Sequence, residues 1–221
     1  MAERPVIAVI GGTGALGSGL AKRLGRAGYP IVIGSRDPAK AAASAAGHGS
    51  EKVRGAGLAQ AAGQAEIVIL AVPFASQAET IAAIAPHCAG KLVIDTTVPL
   101  VPPKVGTVQL PEGGCAALKA RKLLDPSVKL VSAFHNVSAA KLQGEGAIDG
   151  DVLVFGDGAE DRERAVGLAE AAGLRAWHGG PLANSVAAEA MTSVLIAINR
   201  LYKVDGAGIR IVGKKTDGTA L

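Results

Sequence analysis

Three glycines, Gly12, Gly14 and Gly17, stand at G-x-G-x-x-G spacing directly after the apolar run Val6-Ile-Ala-Val-Ile10. Residues of that type, so placed, suit a nucleotide pyrophosphate. Gly12 permits the tight turn out of the strand, Gly14 lets bare backbone approach the diphosphate, and Gly17 lets the next helix pack close to the sheet. The helix N-terminus then points free N–H groups at the anion. In a chain with 30 glycines the flanks must carry the case. Leu16, Leu20, Ala21, Leu24 and Ala27 follow at helical spacing, Gly28 ends the helix, and Ile31-Val32-Ile33 begins a second strand, which completes a βαβ start.

The tip of that second strand, Gly34-Ser35-Arg36, selects the dinucleotide. A carboxylate there accepts both ribose hydroxyls of NAD, whereas a cation with small donors suits the 2′-phosphate of NADP. Ser35 and Arg36 match the second pattern, and Lys40 adds a charge one helical turn on. Asp37 is the counter-signal; with Pro38 it reads as the cap of the next helix.

Further chemistry belongs at the carboxyl ends of later strands, where open parallel sheets bind ligands. Those ends are Ala71-Val-Pro-Phe74, Thr96-Thr-Val-Pro99 and His135-Asn-Val137. Two prolines stiffen their loops and leave apolar surface, which suits a flat ring. No Ser-His-Asp, Cys-His or paired-carboxylate constellation emerges there. His135 either orients a ring or donates to developing negative charge, or else it simply bonds a neighbouring loop. Asp95 reads as a loop cap, and His48 and His178 as surface or turn residues.

The elements that position these residues read as a doubly wound α/β sheet. Strands are expected at Glu66–Pro73, Lys91–Asp95 and Val128–Phe134, all parallel and buried on both faces, with Val152–Phe155 and Leu174–Trp177 as later members. Helices are expected at Ala39–Ala46, Ala75–Ile84, Ala116–Leu124, Ala139–Leu142 and Glu160–Ala172. After Gly179-Gly-Pro181 the texture changes, so residues 1–178 read as the nucleotide-binding domain and 179–221 as a small C-terminal helical domain. The segment Ser185–Tyr202 is apolar nearly all round and should be buried; one sheet covers one stripe of it, which implies a second subunit and a homodimer. The tail from Lys214 is polar and expected to be loose.

Composition narrows the function classes. The chain has 221 residues, 49% of them hydrophobic, enough for a sizeable core. A net charge of +4 without a dense basic run, together with only 3% aromatic residues, speaks for small acidic ligands and against nucleic acid. Cys88 and Cys115 form no C-x-x-C, and no His-rich cluster accompanies them, so neither a disulfide scaffold nor a metal site is expected. A cytoplasmic protein without signal peptide or membrane span is expected, since no apolar run approaches the length of a span.

Taken in order, Gly11-Gly-Thr-Gly-Ala-Leu-Gly17, Ile33-Gly-Ser-Arg36, Leu70-Ala-Val-Pro73, Val131-Ser-Ala-Phe-His135 and Gly180-Pro-Leu-Ala-Asn-Ser185 resemble the NADPH-dependent reductases of the deazaflavin coenzyme F420. The resemblance runs from about Val6 to Gly213. It implies a Rossmann domain, a small helical domain, a homodimer, and hydride transfer between nicotinamide C4 and deazaflavin C5. By position it puts Thr13, Ala15 and Leu16 with Gly12, Gly14 and Gly17 on the pyrophosphate, and Ser35, Arg36 and Lys40 on the 2′-phosphate. Val72, Pro73, Val98, Pro99 and Ala139 would back the nicotinamide of NADP(H). His135, Val137 and Thr192 would touch the acceptor ring. Such a transfer needs alignment more than an acid or base, because the cofactors carry the bond chemistry.

Two positions depart from the archaeal pattern. Val186 stands where an arginine follows Asn-Ser, and Ala190 where a serine precedes the Met-Thr-equivalent pair. Their loss leaves a flavin or pterin acceptor in view beside the deazaflavin. Reduction of a small carbonyl or imine is a further alternative, though no residue positioned to protonate such a product is evident. A non-enzymatic dinucleotide sensor also remains compatible with the fold alone.

Overall fold

The computed structural model describes residues 4–214, 216, 217 and 219. Its first strand β1 (Ile7–Ile10) is fully buried and alternates its side chains between two cores: Ile7 and Val9 face one, Ala8 and Ile10 the other. The pattern repeats in β2 (Ile31–Ser35) and β4 (Ile67–Leu70), as expected of strands covered on both faces. One face is covered by α1 (Ala15–Arg26), α2 (Pro38–Ala46), α6 (Ala139–Gln143) and α7 (Ala159–Ala171). The other is covered by α3 (Leu58–Gln64), α4 (Phe74–Ile84) and α5 (Ala116–Leu123).

Among the described residues the sheet has eight strands in the order β3-β2-β1-β4-β5-β6-β7-β8, with β3 at Val53–Gly57, β5 at Leu92–Asp95, β6 at Lys129–Ser132, β7 at Asp151–Gly156 and β8 at Arg175–Gly180. This is a Rossmann-type doubly wound sheet, with the topological switch between β1 and β4. The helix expectations at Ala39, Ala75, Ala116, Ala139 and Glu160 hold to within a residue at each end.

Three features differ from the sequence reading. First, β3 and α3 were not expected. Two glycines, Gly55 and Gly57, mask the strand, and Gly55 is required because α2 lies on its backbone: a Cβ there would sit 2.2 Å from the carbonyl carbon of Ala41. Second, β7 runs antiparallel to β6, where a parallel strand was expected. The intervening α6 has five residues, about 7.5 Å of helix, too short to return the chain along the sheet; β7 therefore starts near where β6 ends. Third, Leu182–Tyr202 is, at 21 residues, long and apolar enough to cross a membrane by length and composition, contrary to the expected absence of such a run.

That stretch contains the last helix, α8 (Ser185–Tyr202), which packs on α5 and β7 through Ser185, Ala188, Glu189, Ser193 and Leu195. Its opposite stripe is not fully buried. Ala187, Met191, Val194 and Leu201 are exposed and Ile198 is half-buried. The boundary expected at 178/179 falls within β8. The tail expected to be loose includes residues 215, 218, 220 and 221, which lie outside the described residues.

Candidate functional site

The chain leaves β1 through Gly11, whose φ of 81° is open to glycine at little cost. The tight turn expected at Gly12 is made by Gly11 and Gly12 together: Gly12 N donates to Val9 O at 3.1 Å and a Cβ on Gly12 would meet that oxygen at 2.9 Å, while a Cβ on Gly11 would meet the Ala71 carbonyl oxygen at 2.3 Å. Gly12 packs on Ile33, where a Cβ would lie 3.0 Å from Cγ2. Gly17 has the expected role, since its Cβ would lie 2.6 Å from the Gly11 carbonyl oxygen. Around Gly14 only that same oxygen comes near, at 3.3 Å, and no side chain caps α1. The first-turn N–H groups of Ala15, Leu16 and Gly17 have no partner within the helix, so an anion can take them.

A cleft of about 190 Å³ opens at the switch between β1 and β4. Thr13 and Gly14 line it from the glycine loop, Ser35 and Arg36 from the tip of β2, and Val72 and Pro73 from the segment that follows β4. It shares Ser35, Arg36, Leu58 and Thr80 with a neighbouring cleft of about 360 Å³. Leu58 opens α3 and lines both; it went unnoticed because its helix did, and Gly57-Leu58 after a strand was the available signal. A larger depression, about 730 Å³, lies elsewhere, beside Lys22, Arg26 and His48; it touches β3 at its first residue, Val53, and none of the strands' carboxyl ends.

The polar tip of β2 is arranged for an anion. Asp37 caps α2 as expected: its Oδ1 accepts from Ala39 N at 2.9 Å and Lys40 N at 3.2 Å, and Pro38 takes the first turn. Its carboxylate is thereby turned to the helix. Ser35 Oγ accepts from Asp37 N at 3.2 Å, so its hydroxyl hydrogen is available. Arg36 is exposed and makes no hydrogen bond or ion pair among the described residues, while Lys40 is exposed on α2 and lines neither cleft.

The remaining expected positions gather at the ends of β5 and β6. Asp95 is a loop cap, as read: its Oδ1 accepts from Thr97 N at 3.0 Å. It is also a buried acid, and Gln77 Nε2 donates to its Oδ2 at 2.6 Å. Burial pushes its pKa up to about 6, opposed by those hydrogen bonds. Val98 is half-buried and Pro99 buried beyond it. Ala139 is half-buried at the start of α6, which is locked to α1: Gln143 Nε2 donates to Ala15 O at 2.7 Å, and the Arg23 guanidinium to Leu142 O at 3.0 Å. Val137 packs on the core of that face.

Phe134, with φ of 67°, turns the chain sharply after β6. A non-glycine residue held in that region costs about 1–3 kcal/mol, tolerated where the surroundings over-determine it. The turn brings His135 back, its Nε2 2.8 Å from Ser132 Oγ. Burial lowers the His135 pKa to about 3, and its Nδ1 is buried without a partner. Thr192 ties α8 to this turn: its hydroxyl donates to His135 O at 2.9 Å and accepts from Asn136 Nδ2 at 3.2 Å. The hydroxyl is thus already engaged. His178 is a surface residue, as expected, paired with Glu163 at 2.9 Å.

Sequence reasoning found no constellation here, yet the fold builds one. Ser132 Oγ lies 2.7 Å from Ser185 Oγ, and Ser185 Oγ donates to Glu189 Oε1 at 2.8 Å. Glu189 also accepts from Ala116 N at 2.6 Å and Ala117 N at 3.1 Å, at the start of α5. Burial pushes its pKa up to about 7, against those hydrogen bonds. The signal was legible: Glu189 is the one carboxylate in a mostly apolar helix. The departures lie alongside, Val186 packed on the second core and Ala190 half-buried.

Residues 6–99, the segment that forms the glycine loop, the β2 tip and the β4 and β5 ends, match the family described as NADP oxidoreductase, coenzyme F420-dependent. The chain is 40% identical over 217 residues to the F420-dependent NADP reductase of Methanothermobacter marburgensis, covering 93% of this chain and 97% of that one. It is 36% identical over 219 residues to the enzyme of the same name from Methanocaldococcus jannaschii, again over 93% and 97%. A crystal structure of a putative F420-dependent NADP reductase from Arthrobacter sp. FB24 shares the fold, with a TM-score of 0.80 at 24% identity over 94% of this chain and 99% of that one. The likeness to the curated reductases extends past the glycine loop to nearly the full length, and the chain belongs to the family of F420-dependent NADP reductases.

Proposed function

We propose that this protein transfers a hydride between NADP(H) and the deazaflavin coenzyme F420. The observation that carries the dinucleotide half is the unpaired Arg36 guanidinium beside Ser35, at the edge of a cleft that begins at an uncapped helix N-terminus. A guanidinium offers paired hydrogen bonds to a 2′-phosphate, and the first turn of α1 offers N–H groups to the pyrophosphate. Lys40 contributes charge from α2. The nicotinamide then reaches Val72 and Pro73, with Val98, Pro99 and Ala139 beyond. The curated relatives' activity supports F420 as acceptor, placed against His135, Val137 and Thr192.

The protein's part is alignment and exclusion of water, because the nicotinamide and deazaflavin supply the bond chemistry. The helix α8 is the helical unit, and a second copy covers its apolar stripe Ala187, Met191, Val194, Ile198 and Leu201 to give a homodimer. Two buried, unpaired cysteines suit a cytoplasmic protein. Titration of the NADPH-loaded protein with F420, a flavin and a pterin tests the acceptor. Tight saturation by F420 is expected; saturation by flavin or pterin alone would reassign the acceptor.

A further inference from the structure

We propose that Glu189 is a positioning residue whose charge state, passed through Ser185 and Ser132, sets which ring nitrogen of His135 carries the proton. A serine hydroxyl has one hydrogen to donate. With Glu189 ionised, Ser185 donates to Oε1 at 2.8 Å, as the geometry has it. Ser185 has then nothing left for Ser132, so the 2.7 Å contact between the two hydroxyls is donated by Ser132. Ser132 in turn has nothing left for the imidazole, so the 2.8 Å contact is donated by His135 Nε2. His135 is therefore the Nε2–H tautomer and Nδ1 is a bare acceptor.

Protonating Glu189 reverses every link. The carboxyl O–H donates to Ser185, Ser185 to Ser132, and Ser132 to Nε2, which leaves the proton of the neutral imidazole on Nδ1. A proton entering at Nδ1 accomplishes this without any net rearrangement. The Nε2 proton passes to Ser132, the Ser132 hydrogen to Ser185, and the Ser185 hydrogen to Glu189, so one proton is gained and the imidazole is neutral before and after.

Two features make the chain a built device. All four side chains are buried: Ser132 and Ser185 are 0% exposed, Glu189 1% and His135 6%. No water competes for their hydrogens, and both Glu189 oxygens are anchored by the first N–H groups of α5, a setting that favours the anion and offsets its burial. The titratable groups facing Glu189 are Asp95 on β5, whose charge raises it further, and Cys115 at the start of α5, which burial keeps a thiol. Glu189 accordingly titrates about pH 7, where His135, lowered to about 3, stays neutral.

Nδ1 is the ring nitrogen of His135 without a protein partner among the described residues, and a buried unpaired polar atom costs about 1–3 kcal/mol. Nδ1 is itself shielded, so on the reading given under Proposed function the hydride acceptor ring supplies that partner by displacing the side chains that cover it. Ionised Glu189 then makes His135 accept from a ring N–H or O–H, and protonated Glu189 makes it donate to a ring carbonyl.

The test is nitrogen NMR of histidine-labelled protein, with His135 assigned by its loss in His135→Asn, from about pH 5 to about pH 9, a span centred on the Glu189 transition. Protonated and bare ring nitrogens are distinguished by their shifts. The expected result is a bare Nδ1 at the alkaline end and a bare Nε2 at the acid end, with the swap abolished in Ser185→Ala. Ser132→Ala cuts the same chain one link on and serves if the first variant does not fold. A His135 tautomer that does not change with pH, or a swap that survives both substitutions, overturns the proposal. The KM for F420 is expected to change severalfold over the same range in wild type and not in Ser185→Ala, with NADPH affinity indifferent. A tautomer swap without that KM change upholds the chain and overturns the placement of the acceptor ring at His135.

Discussion

Gly11 and Ala71 are in backbone contact across the switch point: a Cβ on Gly11 would fall 2.3 Å from the Ala71 carbonyl oxygen. This contact sets the glycine loop against the end of β4 and so fixes the distance between the pyrophosphate site and the Val72-Pro73 wall. Gly11→Ala combines a steric clash with a φ of 81°, and a loss of about 2–4 kcal/mol in stability is expected. Urea denaturation measures it, and NADPH affinity should fall with it. By contrast Gly14→Ala, where the nearest atom is 3.3 Å away, should fold normally and lose affinity alone.

Arg36→Ala should weaken NADPH binding by about 1–3 kcal/mol, roughly fivefold to 150-fold in Kd, the scale of lost charge-assisted hydrogen bonds. NADH binding should barely change. Calorimetric titration with both cofactors separates the outcomes, and equal losses would show Arg36 to act on the fold rather than on the 2′-phosphate. Lys40→Ala should lose less, because Lys40 lines neither cleft.

His135 gives a pH dependence of known sign. Its folded pKa of about 3 lies below the ordinary 6.5, so the unfolded chain takes up a proton that the folded chain refuses. Its contribution to stability is complete above about pH 6.5 and is lost as pH falls toward 3. Replacement by asparagine should remove this acid limb, worth a few kcal/mol on the scale of about 1.4 kcal/mol per pKa unit. Glu189 and Asp95 run the opposite way. Their folded values are raised, so their contributions are present in acid and decline as pH rises to about 7 and 6. Denaturation midpoints of wild type and His135→Asn across pH 3 to 7 test the difference.

The sequence was most legible where one local rule sufficed. The alternation of Ile7, Ala8, Val9 and Ile10 marked a strand buried on both sides, and Asp37-Pro38 marked a helix cap; both stand in the structure. What went unread depends on partners remote in sequence. Gly55 looks like a strand breaker until α2 is laid on it. The reversal of β7 follows from the shortness of α6, not from any residue within β7. Ser132 and Glu189 are 57 positions apart, and only the turn at Phe134 and the docking of α8 join them through Ser185.

The exposed stripe of α8 should hold two subunits together. Val194→Asp, at a position 41% exposed in the single chain, should weaken the dimer at least about thirtyfold while leaving the fold intact. Sedimentation equilibrium of wild type and variant measures this, and a wild-type monomer would contradict it.

Hydride transfer to a deazaflavin is tested most directly by the fate of the hydrogen itself. NADPH deuterated at nicotinamide C4, on each face in turn, is mixed with the protein and F420, and the reduced deazaflavin is analysed by mass spectrometry and NMR. Deuterium from one face alone, carried to C5 in equal amount to the NADP formed, is the predicted result. Reduced deazaflavin without the label, or label appearing in a flavin or pterin while F420 stays oxidised, would contradict it.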